Sequence, residues 1–225
     1  MNKFAIFLIL FASLAVGSFA ETLYGGSVNI YRTYEQYPKE NCGRDLTGVS
    51  FYMSLNHFPG DSSFGWYIKT SIGGYIDGDE WKDNEPMETS NIYSSFDLRL
   101  SAGPSYLLKA GSMILVPISV GPVLSRYREE TSDGDYGIFS TRDGFFETLN
   151  MGLLLDAAVV INPTKRFTIT NGITINWDFL RWEKGNAKLN YRDIDSGRFK
   201  NARYNAFKLG YYFGVGMRFD GSDAN

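Results

Sequence analysis

The chain is 225 residues long, 16% aromatic and 21% charged, with 24 glycines and a formal net charge of −3. That length fits one domain, the aromatic share favours sheet over helix, and the lack of a basic patch excludes nucleic-acid binding. One cysteine, Cys42, excludes an internal disulfide framework.

The N-terminus reads Met1-Asn2-Lys3, then a largely apolar run from Phe4 to Val16, then Ser18-Phe19-Ala20 before Glu21. A basic start, a short apolar core and a small-residue site make residues 1–20 a secretory signal peptide, cleaved before Glu21. The apolar run is short for a spanning helix, which needs about 20 residues; the competing reading is an uncleaved anchor. Gly, Pro or charge interrupts every later apolar run. Cys42 lies too far past the cleavage site to carry a lipid anchor and is expected as a solvated loop thiol.

Eight extended segments follow, approximately 22–33, 46–58, 64–76, 91–103, 113–127, 146–161, 167–181 and 204–219. Their connections alternate in length. Pro59-Gly60-Asp61-Ser62-Ser63, the stretch around Lys109-Ala110-Gly111-Ser112, and Asn162-Pro163-Thr164-Lys165-Arg166 are short turns. The stretches 34–45, 77–90, 128–145 and 182–203 are long and polar. Long outer loops and short periplasmic turns are the pattern of an outer-membrane barrel. An even strand count puts both termini in the periplasm.

Side chains alternate between the two faces of a strand. In the fourth segment Ile92, Phe96, Leu98, Leu100 and Ala102 face lipid, while Tyr93, Ser95, Asp97, Arg99 and Ser101 face inward. The fifth is apolar on both faces from Ile114 to Leu124, so its register is weakly specified, and Pro117 and Pro122 predict a bulge there or a different strand boundary. In the sixth, Leu149, Met151, Leu153, Leu155, Ala157 and Val159 face out, and Asn150, Gly152 and Asp156 face in. In the seventh, Phe167, Ile169, Ile173, Ile175, Trp177 and Phe179 face out, against Thr168, Thr170, Gly172, Thr174, Asn176 and Asp178. Asn171 is the outward exception. In the last, Phe207, Leu209, Tyr211, Phe213, Val215, Met217 and Phe219 face out, and Lys208, Gly210, Tyr212, Gly214, Gly216 and Arg218 face in.

Two aromatic belts follow. Phe64, Phe167 and Phe219 are expected at the periplasmic end; Phe146, Trp177, Phe179 and Phe207 at the outer end. A soluble β-sandwich or lipocalin-like barrel also alternates, with the opposite sense: polar out, apolar in. The expected architecture is therefore all-β, a transmembrane antiparallel up-and-down β-barrel of eight strands over residues 21–219, with a periplasmic tail at 220–225.

The pattern resembles the small eight-stranded outer-membrane barrels of Gram-negative-type envelopes, the OmpA, OmpX, OmpW and opacity group. Ser101-Ala102-Gly103-Pro104-Ser105-Tyr106 looks like the Gly-Pro segment common in that group, echoed by Ser119-Val120-Gly121-Pro122. The end Tyr211-Tyr212-Phe213-Gly214-Val215-Gly216-Met217-Arg218-Phe219 is similar to the C-terminal signal that the barrel-assembly machinery reads. That signal normally ends the chain on an aromatic residue, whereas Asp220-Gly221-Ser222-Asp223-Ala224-Asn225 follows here. The resemblance implies the lipid bilayer and that machinery as partners.

An eight-stranded interior is just wide enough for side chains to fill. Lys69, Asp97, Arg99, Asp156, Asp178, Lys208 and Arg218 point inward with mixed sign, and buried charges must be paired. They are expected to plug the lumen. The alternative is a narrow passive conduit for small apolar solutes, like that of the OmpW group; a further alternative is a soluble periplasmic ligand-binding β protein.

No catalytic constellation is evident. The sole histidine, His57, sits near a periplasmic turn with no evident partner, against a triad or a multi-His metal site. Asp133-Gly134-Asp135 and Asp77-Gly78-Asp79-Glu80 read as solvated acidic loops lacking the remaining ligands of a calcium loop. No cofactor is expected. The long loops carry Tyr34, Tyr37, Trp81, Tyr136, Trp182 and Tyr191 among charges. Exposed aromatics of this kind suit host or surface ligands, or rest on lipid headgroups.

Overall fold

The computed structural model describes residues 20–87, 92–111, 113–132, 142–187 and 193–219. The signal peptide, Ser112, Asp133 to Tyr136, Tyr191 and the tail 220–225 lie outside them. Alternation of apolar and polar residues builds ten strands: β1 (Ala20–Tyr37), β2 (Cys42–Pro59), β3 (Phe64–Lys82), β4 (Glu85–Met87), β5 (Ile92–Ala110), β6 (Ile114–Ser132), β7 (Arg142–Ile161), β8 (Phe167–Gly185), β9 (Ser196–Ala202) and β10 (Asn205–Phe219). Eight are long. β4 pairs only β3, and β9 only β8.

Each long strand pairs antiparallel with the next, and β10 closes on β1 from Thr22↔Phe219 to Gln36↔Asn205. β10 also pairs β8, so the sheet is a closed ring of eight. Closure matters because an open edge would leave a row of unpaired N–H and C=O groups.

The strands are longer than the sequence pattern predicts. A strand crossing a bilayer needs about 9–11 residues, whereas β1 has 18 and β7 has 20. The ladder continues through Tyr37↔Cys42, so the expected loop 34–45 shrinks to a turn at 38–41. Asp77 to Glu80 likewise belong to β3. Polarity was a misleading loop signal here, because the extension is a strand polar on both faces, with Glu35, Arg44 and Glu80 buried inside and Asp77 and Asp79 exposed outside.

Every register shift lies toward the long-loop end of its strand. In β3 the pairing passes from Gly48↔Tyr75 to Thr47↔Asp77, so Ile76 is an extra residue. In β8 it passes from Gly152↔Asp178 to Met151↔Leu180, so Phe179 is extra. A bulge of this kind inverts the facing of everything beyond it.

The bulge predicted at the prolines of β6 is absent. The β5–β6 ladder keeps one register from Ser105↔Ser119 to Ser101↔Val123 and skips the Gly-Pro stretches between. The β6–β7 ladder likewise skips Pro117 between Leu115↔Val160 and Ile118↔Ala157. Proline lacks the N–H for a rung, and glycine lets the backbones close instead. A Cβ on Gly103 would stand 2.3 Å from the Val120 carbonyl oxygen, and one on Gly121 2.3 Å from that of Ala102.

The outward face is apolar, with Val28, Ile30, Phe51, Leu100, Leu124, Ile173, Tyr211 and Phe213 all exposed. The inward face is buried, polar over most of its length and apolar near the short turns. Asn171, the outward exception, accepts a hydrogen bond from Tyr211 Oη at 2.7 Å, which satisfies its carbonyl within the wall.

Candidate functional site: the charged lumen

Period two along β3, β5, β7, β8 and β10 aims Lys69, Asp97, Arg99, Asp156, Asp178 and Lys208 into the interior, all buried. They form two layers. In the middle one, Arg99 donates to Asp97 at 2.9 Å and to Asp178 at 3.2 Å, and Lys208 donates to Asp97 at 2.8 Å. Asn176 donates to Asp178 at 2.8 Å, and the Lys208 ammonium lies 3.3 Å from the Tyr31 ring centroid. Two cations meet two carboxylates, so the layer is neutral.

Nearer the short turns, Lys69 donates to Asp156 at 2.5 Å and Tyr212 Oη to the same carboxylate at 3.2 Å. The ammonium also sits over the Tyr212 and Tyr52 rings, at 4.0 and 4.6 Å. Below it, Leu23, Phe58, Leu107, Leu115 and Val160 form an apolar layer. Arg218 stands apart from both layers. It closes the short-turn mouth with Lys109 through Glu21, at 3.0 and 2.7 Å.

A third layer, absent from the sequence expectation, fills the long-loop end. Arg44 donates to Glu35 at 2.7 Å and to Glu129 at 2.6 Å. Arg181 donates to Glu35 at 2.9 Å and to Asn150 at 2.7 Å. Tyr204 Oη donates to Glu35 at 3.0 Å; Tyr37 Oη accepts from Arg181, and Tyr127 Oη donates to Glu129. The Arg181 guanidinium stacks 3.5 Å from the Tyr204 centroid. Burial alone would raise the Glu35 pKa, but the Arg181 and Arg44 charges and hydrogen bonds outweigh it and hold this carboxyl well below the usual range. Two carboxylates again meet two cations.

Sequence reading missed this layer for two reasons. Glu35, Arg44 and Glu129 fell in stretches taken as loops. Arg181 is an odd residue of β8, outward by strict alternation, and the extra Phe179 turns it inward. Tyr31, Tyr75 and Tyr127 link the layers edge to face, with centroids 5.6 and 5.2 Å apart.

Phe64, Phe167, Trp177, Phe207 and Phe219 are exposed on the outward face and Phe179 is half-buried. Trp177 and Phe179 pack edge to face at 5.4 Å. Phe146 does not join them: it is fully buried, against the Arg44 guanidinium at 5.6 Å. Its even number gives it the inward facing of Asn150 and Asp156, which settles its side. Tyr37 and Cys42 are buried too, paired across the first turn, so neither a loop aromatic nor a solvated thiol stands there. Tyr34 remains exposed and stacks on Trp81, with centroids 6.3 Å apart and planes at 16°. His57 has a partner after all, the Thr22 hydroxyl at 3.0 Å, and lies against Trp66.

A cavity of about 20 Å³ lies between Asn56, Pro117, Asp156 and Tyr212. That is room for one water. Among the described residues no group of three or more His, Cys, Asp or Glu is placed to hold a metal ion.

No family model and no curated protein matches the chain. Solved structures do. The outer membrane protein OprG from Pseudomonas aeruginosa matches with a TM-score of 0.54 at 10% identity, over 90% of this chain and 97% of that one. Neisserial surface protein A matches with a TM-score of 0.46 at 13% identity, over 87% and 97%. Ail, the attachment invasion locus protein of Yersinia pestis, matches with a TM-score of 0.43 at 12% identity, over 89% and 99%. At such identities the likeness to OprG speaks for the fold alone: this chain has the fold of an outer-membrane β-barrel.

Proposed function

We propose that the chain is an integral outer-membrane protein, exported by a signal peptide cleaved before Glu21, whose lumen is plugged and whose role is structural or surface-directed. The observation that carries this reading is the stack of neutral, hydrogen-bonded layers across the interior.

The outward face supports the membrane. Phe167 and Trp177 end the apolar band of β8, ten residues apart. At about 3.3 Å per residue and a strand tilt of about 40° that separation spans about 25 Å, the height of a membrane barrel's apolar band. A soluble protein would expose this whole cylinder of aliphatic and aromatic side chains to water, far beyond the usual apolar patch. The strand extensions at the long-loop end, with the Tyr34–Trp81 stack on their outside, are the surface offered to external partners. The apolar floor of Leu23, Leu107 and Leu115 is the feature nearest to a solute path, and the Lys69–Asp156 pair caps it.

Planar-bilayer recording tests the plug. The native protein is expected to be silent. Arg99→Ala leaves the buried Asp178 carboxylate without a cation, while Asp97 keeps Lys208, and is expected to destabilise the barrel by about 3–5 kcal/mol, still without conductance. Discrete, solute-blocked steps from the native protein would overturn the plug.

A further inference from the structure

We propose that the outward wall of β6, β7 and β8, just beyond the apolar band, is a docking site for the phosphorylated sugar headgroup of a glycolipid in the outer leaflet. This rests on the membrane reading above. On this wall the apolar band ends at Leu124, Leu149 and Met151, all exposed. Register then places Arg126 opposite Leu149, Arg128 opposite Glu147, and Glu147 opposite Lys184.

Glu147 gathers the cations. Its Oε1 accepts from Arg126 Nε and Nη2, both at 2.7 Å, and its Oε2 lies 3.1 Å from Lys184 Nζ. Arg128 pairs with Glu130 at 3.2 Å. The two signs are not equally presented. The Arg126 and Arg128 side chains are 57% and 45% exposed, whereas Glu147 is 3% exposed. Burial raises the Glu147 pKa, but the hydrogen bonds and charges of Lys184 and Arg126 outweigh it, so this carboxylate stays ionised. It therefore orders the cations from beneath while the surface shown to a ligand is positive.

Aromatic rings complete the platform. Phe145 lies 5.3 Å from the Arg128 guanidinium and Phe199 4.6 Å from the Lys184 ammonium, with Trp182 opposite Leu149 on the same wall. Guanidinium forks fit phosphate oxygens, and aromatic faces offer flat apolar area to a sugar ring. An acyl chain attached to such a headgroup would run down the apolar band below. The opposite wall has the other sign. There Asp77 and Asp79 are exposed and Asp45 stands opposite Asp79, with Arg32 tied to Asp45 at 2.7 Å. A phosphate is thus directed to one side of the barrel.

The test uses the mature chain in zwitterionic-lipid nanodiscs doped with lipid A, a bisphosphorylated glucosamine-disaccharide lipid. Native mass spectrometry reads lipid A retained per barrel. The native chain is expected to retain it, and the triple variant Arg126→Gln, Arg128→Gln, Lys184→Gln to bind at least about ten-fold more weakly, given about 1 kcal/mol per cation near an anionic surface. Arg128→Gln alone, the mildest change, is expected to fall between. Asp77→Asn with Asp79→Asn, on the opposite wall, is expected to retain lipid A as the native chain does. Heat-modifiable mobility on a cold gel verifies that each variant is folded. Equal retention by native and triple variant would overturn the site. Inorganic pyrophosphate binding as tightly as lipid A would also overturn it, by making the ligand a free phosphate. A folded outer-membrane barrel that retains no lipid A defeats this inference and leaves the membrane reading standing.

Discussion

Glu35 shows what a buried charge requires. Two guanidiniums and a phenol donate to its carboxylate, and each comes from a different strand or loop. Such a group is stable ionised and costly when stripped of its partners. Its pKa is lowered on folding from an ordinary value of 4.5. A depressed carboxyl contributes stability above its unfolded pKa and loses it as pH falls through the folded one. The barrel in detergent is therefore expected to hold steady from neutral pH down to about pH 5 and to weaken below about pH 4.5. Glu35→Gln should be less stable at pH 7 and show a shallower acid slope, measured by the temperature of heat-modified migration. An unchanged slope would mean that Glu35 is not ionised in the folded barrel. At this scale the sequence was legible wherever strict alternation held: Lys69, Asp97, Arg99, Asp156, Asp178 and Lys208 all point inward as predicted. Arg181 was not legible, because nothing in its neighbourhood announces a bulge two residues earlier.

At the scale of the strand, that bulge is a discrete device. The extra residue, Phe179, lets Asp178 and Arg181 share the inward face although three positions separate them. Removing Phe179 would restore plain alternation with both still inside. Deleting Ile173 instead would turn every inward residue of β8 on one side of the cut to the outward face. The first deletion is expected to give a folded, heat-modifiable barrel and the second none. Equal failure of both would show that the bulge itself is needed. The existence of the eight long strands was readable, since eight segments were foreseen and eight long strands close the ring, whereas the short β4 and β9 fell in stretches taken as loops. Strand length was not. The extensions carry Glu35, Arg44 and Glu129 inside and Asp45, Asp79 and Arg128 outside, and a strand polar on both faces looks like a loop. The prolines of β6 misled in the other direction. Gly103 and Gly121 let the ladder skip a rung without slipping, so no bulge was needed.

For the whole molecule, one inversion organises everything else. Apolar residues face out around the full ring, and charges face in, paired layer by layer from Glu21 at one mouth to Glu129 near the other. On the proposed reading lipid rather than water meets that outer face, and the paired charges plug the lumen. The most direct test is a cold gel of the native, membrane-extracted protein, with and without boiling, alongside its fractionation. A mobility shift on boiling, with the protein in the outer-membrane fraction, is the expected result. No shift, with recovery in the soluble periplasm, would contradict the account, because the charged face would then have to be the one in contact with water.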